Sequence, residues 1–201
     1  RGMGIFDNKG NLLYLDGLIL NINERKRLEE ELRVFATTDP ITGVFNRHFG
    51  LSFLQKQIDL SRRTGDPLSV CYIDINNLKK VNDGFGHQEG DKLINDLIKI
   101  LKECLREMDV VCRIGGDEFL LIFPNTDTEG ARKVWKRIDL RMETENRIGK
   151  RPYLMSVSHG IAEYTSKQAM TLESLVSLAD SRMYEDKRIQ KTANDVNGFG
   201  I

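Results

Sequence analysis

Two acidic sites interrupt or end apolar strands of this sequence. Asp74 follows the apolar run 70–73, and Asp117 and Glu118 lie in a Gly-Gly-Asp turn between two β-rich runs. Carboxylates at strand ends and tight turns can be brought together from neighbouring strands, where they supply the hard oxygen ligands that Mg²⁺ prefers. Such a pair could hold metal ions for phosphoryl transfer. The same residues also fit a loop cap and a good turn, and the pattern alone leaves both interpretations open.

The segment between the two acidic sites, residues 76–91, is rich in Asn, Asp, Gly and Lys. Loops of this composition can present backbone N–H groups and cations to phosphates. A solvated connector has the same composition, because these residue types also favour turns. By itself the segment is a weak indication of a phosphate site.

Length, composition and charge exclude several classes of function. The 201 residues fit one domain plus a fragment, and the 40% apolar content is enough for a sizeable core. Thirty basic and thirty acidic side chains cancel, so no nucleic-acid partner is expected. The longest apolar stretch, around 119–123, is far shorter than the roughly 18 residues of a membrane span. We expect a cytoplasmic segment without membrane contact, although the full-length protein could carry a membrane anchor.

The first part of the chain contains a hairpin and a helix. Two β-rich runs surround a turn at 8–10, and a lone hairpin of this kind needs a larger sheet to pair with. Over residues 23–37 charged side chains pair at i, i+4 spacing, and Leu28, Leu32 and Phe35 follow the spacing of a coiled-coil seam. The helix fits a solvated linker or a parallel dimer stalk, and the rest of the chain favours the stalk.

A second domain starts at about Thr38, because Pro40 stops the helix. From there the apolar pattern alternates between helical and strand periods, with a hairpin in the middle and a polar loop running through Gly90. The predicted helices are 47–63, one that ends near Glu107, 128–147 and 172–187, and the predicted strands are 68–75, 110–114, 118–123 and 153–164. Together these elements predict an α+β domain with helices packed on a mostly antiparallel sheet.

Five motifs follow one another in this second domain. One is Gly115-Gly116-Asp117-Glu118-Phe119, preceded by Arg113-Ile114, and the others lie at 39–47, 73–91, 156–162 and 179–187. In this order they resemble the GGDEF family of diguanylate cyclases, over about 38–191. The resemblance implies the palm-like fold of that family and of nucleotidyl cyclases, with helices around a mostly antiparallel central sheet.

The N-terminal part also resembles known modules. Residues 16–27 are similar to the last strand of a PAS sensor domain running into a signalling helix. This implies a C-terminal remnant of a PAS domain at 1–21 and a signalling and dimerisation helix at 22–37. The cyclase domain would then occupy 38–191, and 192–201 would be a tail.

The family resemblance implies that two GTP molecules condense into cyclic di-GMP across a homodimer, with release of pyrophosphate. By position, Asp74, the backbone carbonyl of Ile75 and Asp117 would hold Mg²⁺ or Mn²⁺, and Glu118 would contact a second metal ion. Asp117 is the best candidate for an essential residue, as metal ligand or as base. Lys79 would stabilise charge on the phosphates in the transition state.

Phosphate contacts are implied in the same way. The N–H groups of Asn77 and Leu78 would cradle phosphate oxygens, and Lys187 and Lys191 would meet the terminal phosphates. For Lys191 a solvated basic helix end is the alternative, because the Gly-Arg-Asn that often follows in the family is replaced by 190–192, Gln-Lys-Thr.

The family's guanine-reading pair matches Asn82 and Asp91. A carboxylate can accept from both N1–H and the N2 amine of guanine, whereas adenine offers no such pair of donors on that edge. GTP is therefore the expected substrate. Asn76 and Leu78 depart from the family's usual Asp and Phe, and we expect tuned rather than lost activity.

A product-inhibition site is implied by Arg106 and Asp109, which lie upstream of Gly115 at the offset of the family's inhibitory site. An arginine can grip a phosphate or the guanine Hoogsteen edge, and a nearby carboxylate can accept from guanine N1–H and N2. An ordinary helix-end ion pair is the alternative. Two other functions remain open for the chain: a non-enzymatic module that binds GTP or cyclic di-GMP, and a structural dimerisation piece.

Overall fold

The computed structural model describes residues 2–17, 21–149, 151–165 and 170–196, which belong to two units that divide between Ala36 and Thr37. In the first unit, strands β1 (Gly2–Phe6) and β2 (Leu12–Gly17) pair as an antiparallel hairpin. Their turn is stabilised by Asp7, because its carboxylate accepts hydrogen bonds from backbone N–H groups on the other side of the turn. The predicted hairpin is confirmed.

Helix α1 (Asn23–Thr37) follows the hairpin, and its bounds agree with the prediction. Arg25 and Glu29 form an ion pair at 2.7 Å one turn apart, as expected from the spacing of charges. The predicted seam side chains are all exposed, from Leu28 at 46% to Phe35 at 81%. The assignment of this helix to a dimer stalk, and of the hairpin to a PAS remnant, stays a prediction.

The second unit is built on an open five-stranded sheet with helices on both faces. Its helices are α2 (Arg47–Thr64), α3 (Leu78–Phe85), α4 (His87–Cys104), α5 (Thr128–Ile148) and α6 (Leu172–Val196), and its strands are β3 (Phe45–Asn46), β4 (Leu68–Ile75), β5 (Val110–Arg113), β6 (Glu118–Pro124) and β7 (Val157–Tyr164). The strand order is β3-β5-β6-β4-β7, and only the short β3–β5 pair is parallel. The predicted α+β fold with a mostly antiparallel central sheet is confirmed.

Strand β4 lies in the middle of the core, because β6 and β7 flank it and helices cover both of its faces. All eight of its residues are buried. Alternate side chains face opposite ways, so Val70 and Tyr72 pack with α2 and α6 while Cys71 and Ile73 pack with α4 and α5. Asp74 is the one charged residue in this strand, and it lies near the end.

One predicted loop is wrong. The polar segment before Gly90 contains the helix α3 and the first turn of α4. Leu78 and Val81 are buried on one face of α3, which makes this short segment amphipathic despite its polar composition. Gly86, with φ of 88°, separates the two helices in a backbone conformation that favours glycine.

Three predicted element boundaries also differ from the structure. Helix α4 ends at Cys104 rather than near Glu107, and β7 begins at Val157 rather than Tyr153. Helix α6 continues beyond Lys187 through Val196. No helix in the described ranges is both long enough and apolar enough to cross a bilayer.

Candidate active site

The antiparallel register of β4 and β6 places two acidic residues side by side. Asp74, near the end of β4, is directly opposite Glu118, the first residue of β6. Residues two apart on a strand share a face, so both side chains lie on the same face as Tyr72, the face that α6 covers. Asp74 is only 6% exposed, whereas Glu118 is half-buried. The strand-end pair expected from the sequence is therefore formed.

A tight turn connects β5 to β6 and carries Asp117. The backbone N–H groups of Ile114 and Gly115 both donate to the carbonyl of Glu118, at 2.9 and 3.3 Å. A Cβ atom on Gly115 would lie 2.5 Å from Glu118 Oε2, so any larger residue here would displace the carboxylate of Glu118. The carbonyl of Asp117 accepts from the N–H of Ile75 at 3.0 Å. The turn is thus tied to the end of β4, next to Asp74.

Arg113 supports this turn, a role that the sequence analysis did not assign. Its guanidinium donates to the carbonyls of Gly115 and Gly116, at 3.1 and 2.7 Å, and to Asp39 Oδ1 at 3.0 Å. Although burial raises the pKa of Asp39, hydrogen bonds from Thr42 and Arg113 outweigh it and hold that pKa below its ordinary value. An arginine at the end of the apolar run 110–112 is the sequence signal that could have indicated this role.

The acidic residues at the sheet end are crowded together. Burial raises the pKa of Asp74, and Lys187 opposes the shift while the charges of Asp117 and Asp180 add to it. Burial also raises the pKa of Glu118, with Asp117 and Asp74 as further causes. A hydrogen bond from the Tyr72 hydroxyl to Glu118 partly offsets this.

Helix α6 brings a lysine to this acidic cluster. Lys187 Nζ lies 2.6 Å from Asp74 Oδ1, and the Asp74 side chain in this ion pair is 9% exposed. The close approach of α6 depends on Gly160 in β7, where a Cβ atom would lie 2.0 Å from the carbonyl oxygen of Ala179. Lys191, one turn further along α6, is exposed, and no ion pair between it and the acidic cluster is found within the described ranges.

The N-terminus of α3 lies directly after this strand end. Asn77 has φ of 60° and ψ of 19°, a left-handed conformation that turns the chain from β4 into α3, and its side chain does not cap the helix. The first N–H groups of a helix lack intrahelical acceptors, so they remain available to an anion. Leu78 anchors this turn in the core, and Lys79 is exposed beside it. The structure therefore places a helix N-terminus without a side-chain cap at the end of β4, and its assignment to phosphate binding stays a prediction.

The two residues assigned to guanine recognition lie on adjacent helices. Asn82 is on α3, and its side-chain oxygen would be 1.9 Å from a Cβ atom at Gly90. Its amide therefore packs against the backbone of α4 immediately before Asp91, which is exposed. The structure brings Asn82 and Asp91 to one region between α3 and α4.

Arg106 and Asp109 form a turn on a different part of the surface, between α4 and β5. The carboxylate of Asp109 accepts from the backbone N–H of Arg106 at 2.9 Å, and the exposed guanidinium makes no side-chain hydrogen bond within the described ranges. Burial raises the pKa of Asp109, and the charges of Arg106 and Arg137 oppose it. Arg137, which donates to the carbonyl of Cys104, is a further basic residue at this turn that the sequence analysis did not single out.

The acidic cluster offers carboxylate oxygens, the ligand type that a hard divalent cation prefers. Beyond the effect of burial, the charge of Asp117 raises the pKa of both Asp74 and Glu118, and the ion pair with Lys187 is the only one that the three carboxylates form in the described part of the chain. Among the described residues, no group of three or more His, Cys, Asp or Glu side chains is arranged to hold an ion by itself. Mg²⁺ commonly takes one or two carboxylates and completes its shell with water and substrate phosphates, which suits this set.

Residues 36–193 match the model of the family described as diguanylate cyclase, GGDEF domain. The chain belongs to the GGDEF diguanylate cyclase family. It is 36% identical over 169 residues to the cyclic di-GMP phosphodiesterase PdeR of Escherichia coli, covering 83% of this chain and 25% of that protein. It is 31% identical over 160 residues to the diguanylate cyclase DgcP of Pseudomonas aeruginosa, covering 79% of this chain and 24% of that protein.

The fold is similar to solved GGDEF structures. The coiled coil and GGDEF domain of DgcB from Caulobacter crescentus, crystallised in complex with c-di-GMP, matches with a TM-score of 0.73 and 29% sequence identity. The match covers 82% of this chain and 89% of that one. The chain spans about a quarter of the length of the curated relatives PdeR and DgcP, so the two enzymatic activities that their names describe belong to much longer proteins.

Proposed function

We propose that this GGDEF domain is a diguanylate cyclase that condenses two molecules of GTP into cyclic di-GMP. The observation that carries the proposal is the convergence of Asp74, Asp117 and Glu118 at one sheet end, next to the open N-terminus of α3. Excess negative charge beside a phosphate cradle is the arrangement that metal-assisted phosphoryl transfer requires.

Different residues of the site bind different parts of the nucleotide. Asn82 and Asp91 read guanine, while the N–H groups of Asn77 and Leu78 hold phosphate oxygens. Lys79 and Lys187 bring positive charge close to the phosphates, and Lys191 lies one turn beyond Lys187 on α6. The 3′-OH of each nucleotide attacks the α-phosphate of the other, so two phosphodiester bonds form and two pyrophosphates leave.

A divalent cation, Mg²⁺ or Mn²⁺, supplies charge neutralisation on the triphosphate and lowers the pKa of the attacking hydroxyl when it is bound. Asp74, the carbonyl of Ile75 and Asp117 would hold it, with Glu118 at a second ion. Asp117 lies in the turn rather than in the strand, so it can adjust to the ion while Asp74 stays fixed by the core.

The reaction needs two copies of the domain, because each has one such site and two nucleotides must face each other. The exposed apolar stripe of α1, Leu28, Leu32 and Phe35, supplies a surface for a parallel pair. Cyclic di-GMP would bind at Arg106 and Asp109 and inhibit synthesis. The family resemblance supports both features, and Leu28, Leu32, Phe35 and Arg106 are exposed while Asp109 is half-buried.

Incubation with GTP and Mg²⁺, followed by chromatography for cyclic di-GMP, tests the proposal. We expect product from the wild-type protein and none from Asp117→Ala, whose fold should persist because the turn residue contributes little to the core. Asp59→Ala, an exposed substitution on α2, is the matched control and should retain activity.

The similarity to PdeR favours one alternative, a module that binds GTP or cyclic di-GMP without making product. Under that alternative the wild-type protein binds nucleotide in calorimetry but yields no cyclic di-GMP at any protein concentration. Product formation that disappears in Asp117→Ala would exclude it.

A further inference from the structure

Five polar side chains form a hydrogen-bonded group where β4, β7 and α6 meet, beside the acidic cluster. They are Asn76, just after β4; Ser156 and His159, just before and within β7; and Asp186 and Gln190, on α6. We call this group the polar clamp. Four of its members have no role predicted from the sequence, and Asn76 was singled out there only as a departure from the family pattern.

Gln190 is the centre of the polar clamp, because its side-chain amide uses all of its hydrogen-bonding positions. Nε2 donates to Asp186 Oδ2 at 2.9 Å and to the carbonyl of Val157 at 3.2 Å. Oε1 accepts from Asn76 Nδ2 at 2.9 Å and from Ser156 Oγ at 3.4 Å. A fully satisfied amide has one orientation, so the Gln190 side chain links α6 to β7 and to the end of β4 in a defined geometry.

Asn76 is equally constrained at the other end of the clamp. Its Nδ2 donates to Ser156 Oγ and Gln190 Oε1, and its Oδ1 accepts from Ser158 Oγ at 2.9 Å. Its backbone N–H donates to the carbonyl of Ser156 at 2.9 Å. A carboxylate at position 76 could not donate to Gln190 Oε1, so Asn76 and Gln190 are matched to each other.

The remaining members extend the clamp across the edge strand to α5. Asp186 accepts from the backbone N–H of His159 at 2.9 Å and contacts its Nδ1 at 3.1 Å. The imidazole stacks on Trp135 of α5, with ring centres 4.0 Å apart and planes 11° apart. Asp186 and Gln190 are four residues apart, so they share one face of α6.

Two groups assigned to phosphate binding lie next to members of the polar clamp in the sequence. Lys187 lies between Asp186 and Gln190 on α6, and it reaches Asp74. Asn77, in its left-handed conformation, follows Asn76 directly. One hydrogen bond between Asn76 and Gln190 therefore connects the lysine-bearing helix to the cradle at the start of α3.

We propose that Gln190 is a positioning residue that sets Lys187 and the Asn77 cradle relative to each other for the triphosphate. This inference rests on the proposed function for its substrate, and it assigns Gln190 no contact with GTP. Both positioned groups meet the phosphates before and during reaction, so their displacement weakens binding of substrate and transition state equally. Such a loss raises KM and leaves kcat nearly unchanged.

The test compares Gln190→Ala with Gln55→Ala. Gln55 is an exposed glutamine on α2, and among the described residues its side chain hydrogen-bonds only to Asp59 on the same helix. We expect Gln190→Ala to raise KM for GTP by about tenfold, with kcat per folded protein within about twofold of wild type. Gln55→Ala should leave both constants unchanged. A lower kcat or melting temperature with an unchanged KM would show a purely structural role and overturn the proposal.

A second arm pairs Gln190→Ala with Asn76→Ala. Because the two side chains act through one hydrogen bond, the double variant should raise KM little more than either single variant. If the increases in KM of the two single variants instead multiplied in the double variant, Gln190 and Asn76 would act independently, which would contradict the proposal.

A third arm does not depend on catalysis. Binding of a non-hydrolysable GTP analogue with Ca²⁺ should weaken by about the same factor in Gln190→Ala, and the side-chain amide resonance of Asn76 should shift in that variant only. If the wild-type protein makes no cyclic di-GMP, the proposed function fails, while these two measurements still decide the role of Gln190. An unchanged affinity for the GTP analogue and an unchanged Asn76 resonance in Gln190→Ala would overturn the proposed positioning role.

Discussion

Helix α6 packs so closely on β7 that Gly160 has no room for a side chain. A Cβ atom there would lie 2.0 Å from the carbonyl oxygen of Ala179 and 2.3 Å from the backbone nitrogen of Met183. Both are backbone atoms, so no side-chain rotation relieves the overlap. Gly160→Ala therefore has to move α6 away from the sheet by roughly 1.4 Å to reach ordinary van der Waals contact.

This displacement reaches the site because Lys187 lies one turn beyond Met183. A shift of this size takes the Lys187–Asp74 pair from 2.6 Å to about 4 Å, the limit of an ion pair. Overpacking should lower the free energy of unfolding by about 1–3 kcal/mol. At GTP concentrations well below KM, the rate of cyclic di-GMP formation should fall by about a hundredfold, because misplacing a group by 1 Å can cost that much.

Denaturant unfolding and initial rates of cyclic di-GMP formation measure the two effects separately. Ile58→Val, on the buried face of α2, should cost about 1 kcal/mol and keep the wild-type rate per folded molecule. Gly84→Ala, on the exposed side of α3 with open space around its Cβ, should be as active as wild type. If Gly160→Ala keeps more than half of the wild-type rate at full folding, the position of α6 does not govern the reaction.

Three further outcomes are expected. Arg113→Lys should lower specific activity at least about tenfold, because a lysine cannot bridge Asp39 and two turn carbonyls at once. A wild-type rate would show that activity does not depend on the hydrogen bonds from Arg113 to the turn. Arg106→Ala should weaken cyclic di-GMP binding in calorimetry and raise the final amount of product. Equal affinity of the variant and the wild-type protein for cyclic di-GMP would contradict the assignment of the inhibitory site to Arg106. Since burial and mutual repulsion raise the pKa values of Asp74 and Glu118, the metal-free protein should lose stability as pH rises through those raised values, and Mg²⁺ should restore it. The Mg²⁺-induced rise in melting temperature should therefore be larger at pH 7.5 than at pH 5 and absent in Asp74→Asn, and a pH-independent rise would show that the ion binds elsewhere.

Local sequence patterns determined most of the secondary structure. The period of apolar residues predicted α1, α2, α5 and every strand except the two-residue β3, because a helix or strand buries one regular stripe of side chains. The Gly-Gly-Asp turn between two β-rich runs predicted the β5–β6 hairpin that carries Asp117. The pattern failed for α3, where two buried residues, Leu78 and Val81, are too few to stand out in a polar segment.

For the site, the sequence determined which residue types are present, and the tertiary structure decided which of them meet. Asp74 and Lys187 are 113 residues apart, and Asn76 and Gln190 are 114 apart, so neither contact leaves a local trace in composition or period. The support of the turn by Arg113 depends on Asp39, 74 residues earlier. The two contacts of α6 form because Gly160 lets this helix lie directly on the sheet, and Asp74 meets Glu118 because of the β4–β6 register. Close packing and strand register are properties of the folded chain, since each depends on backbone atoms from several elements at once.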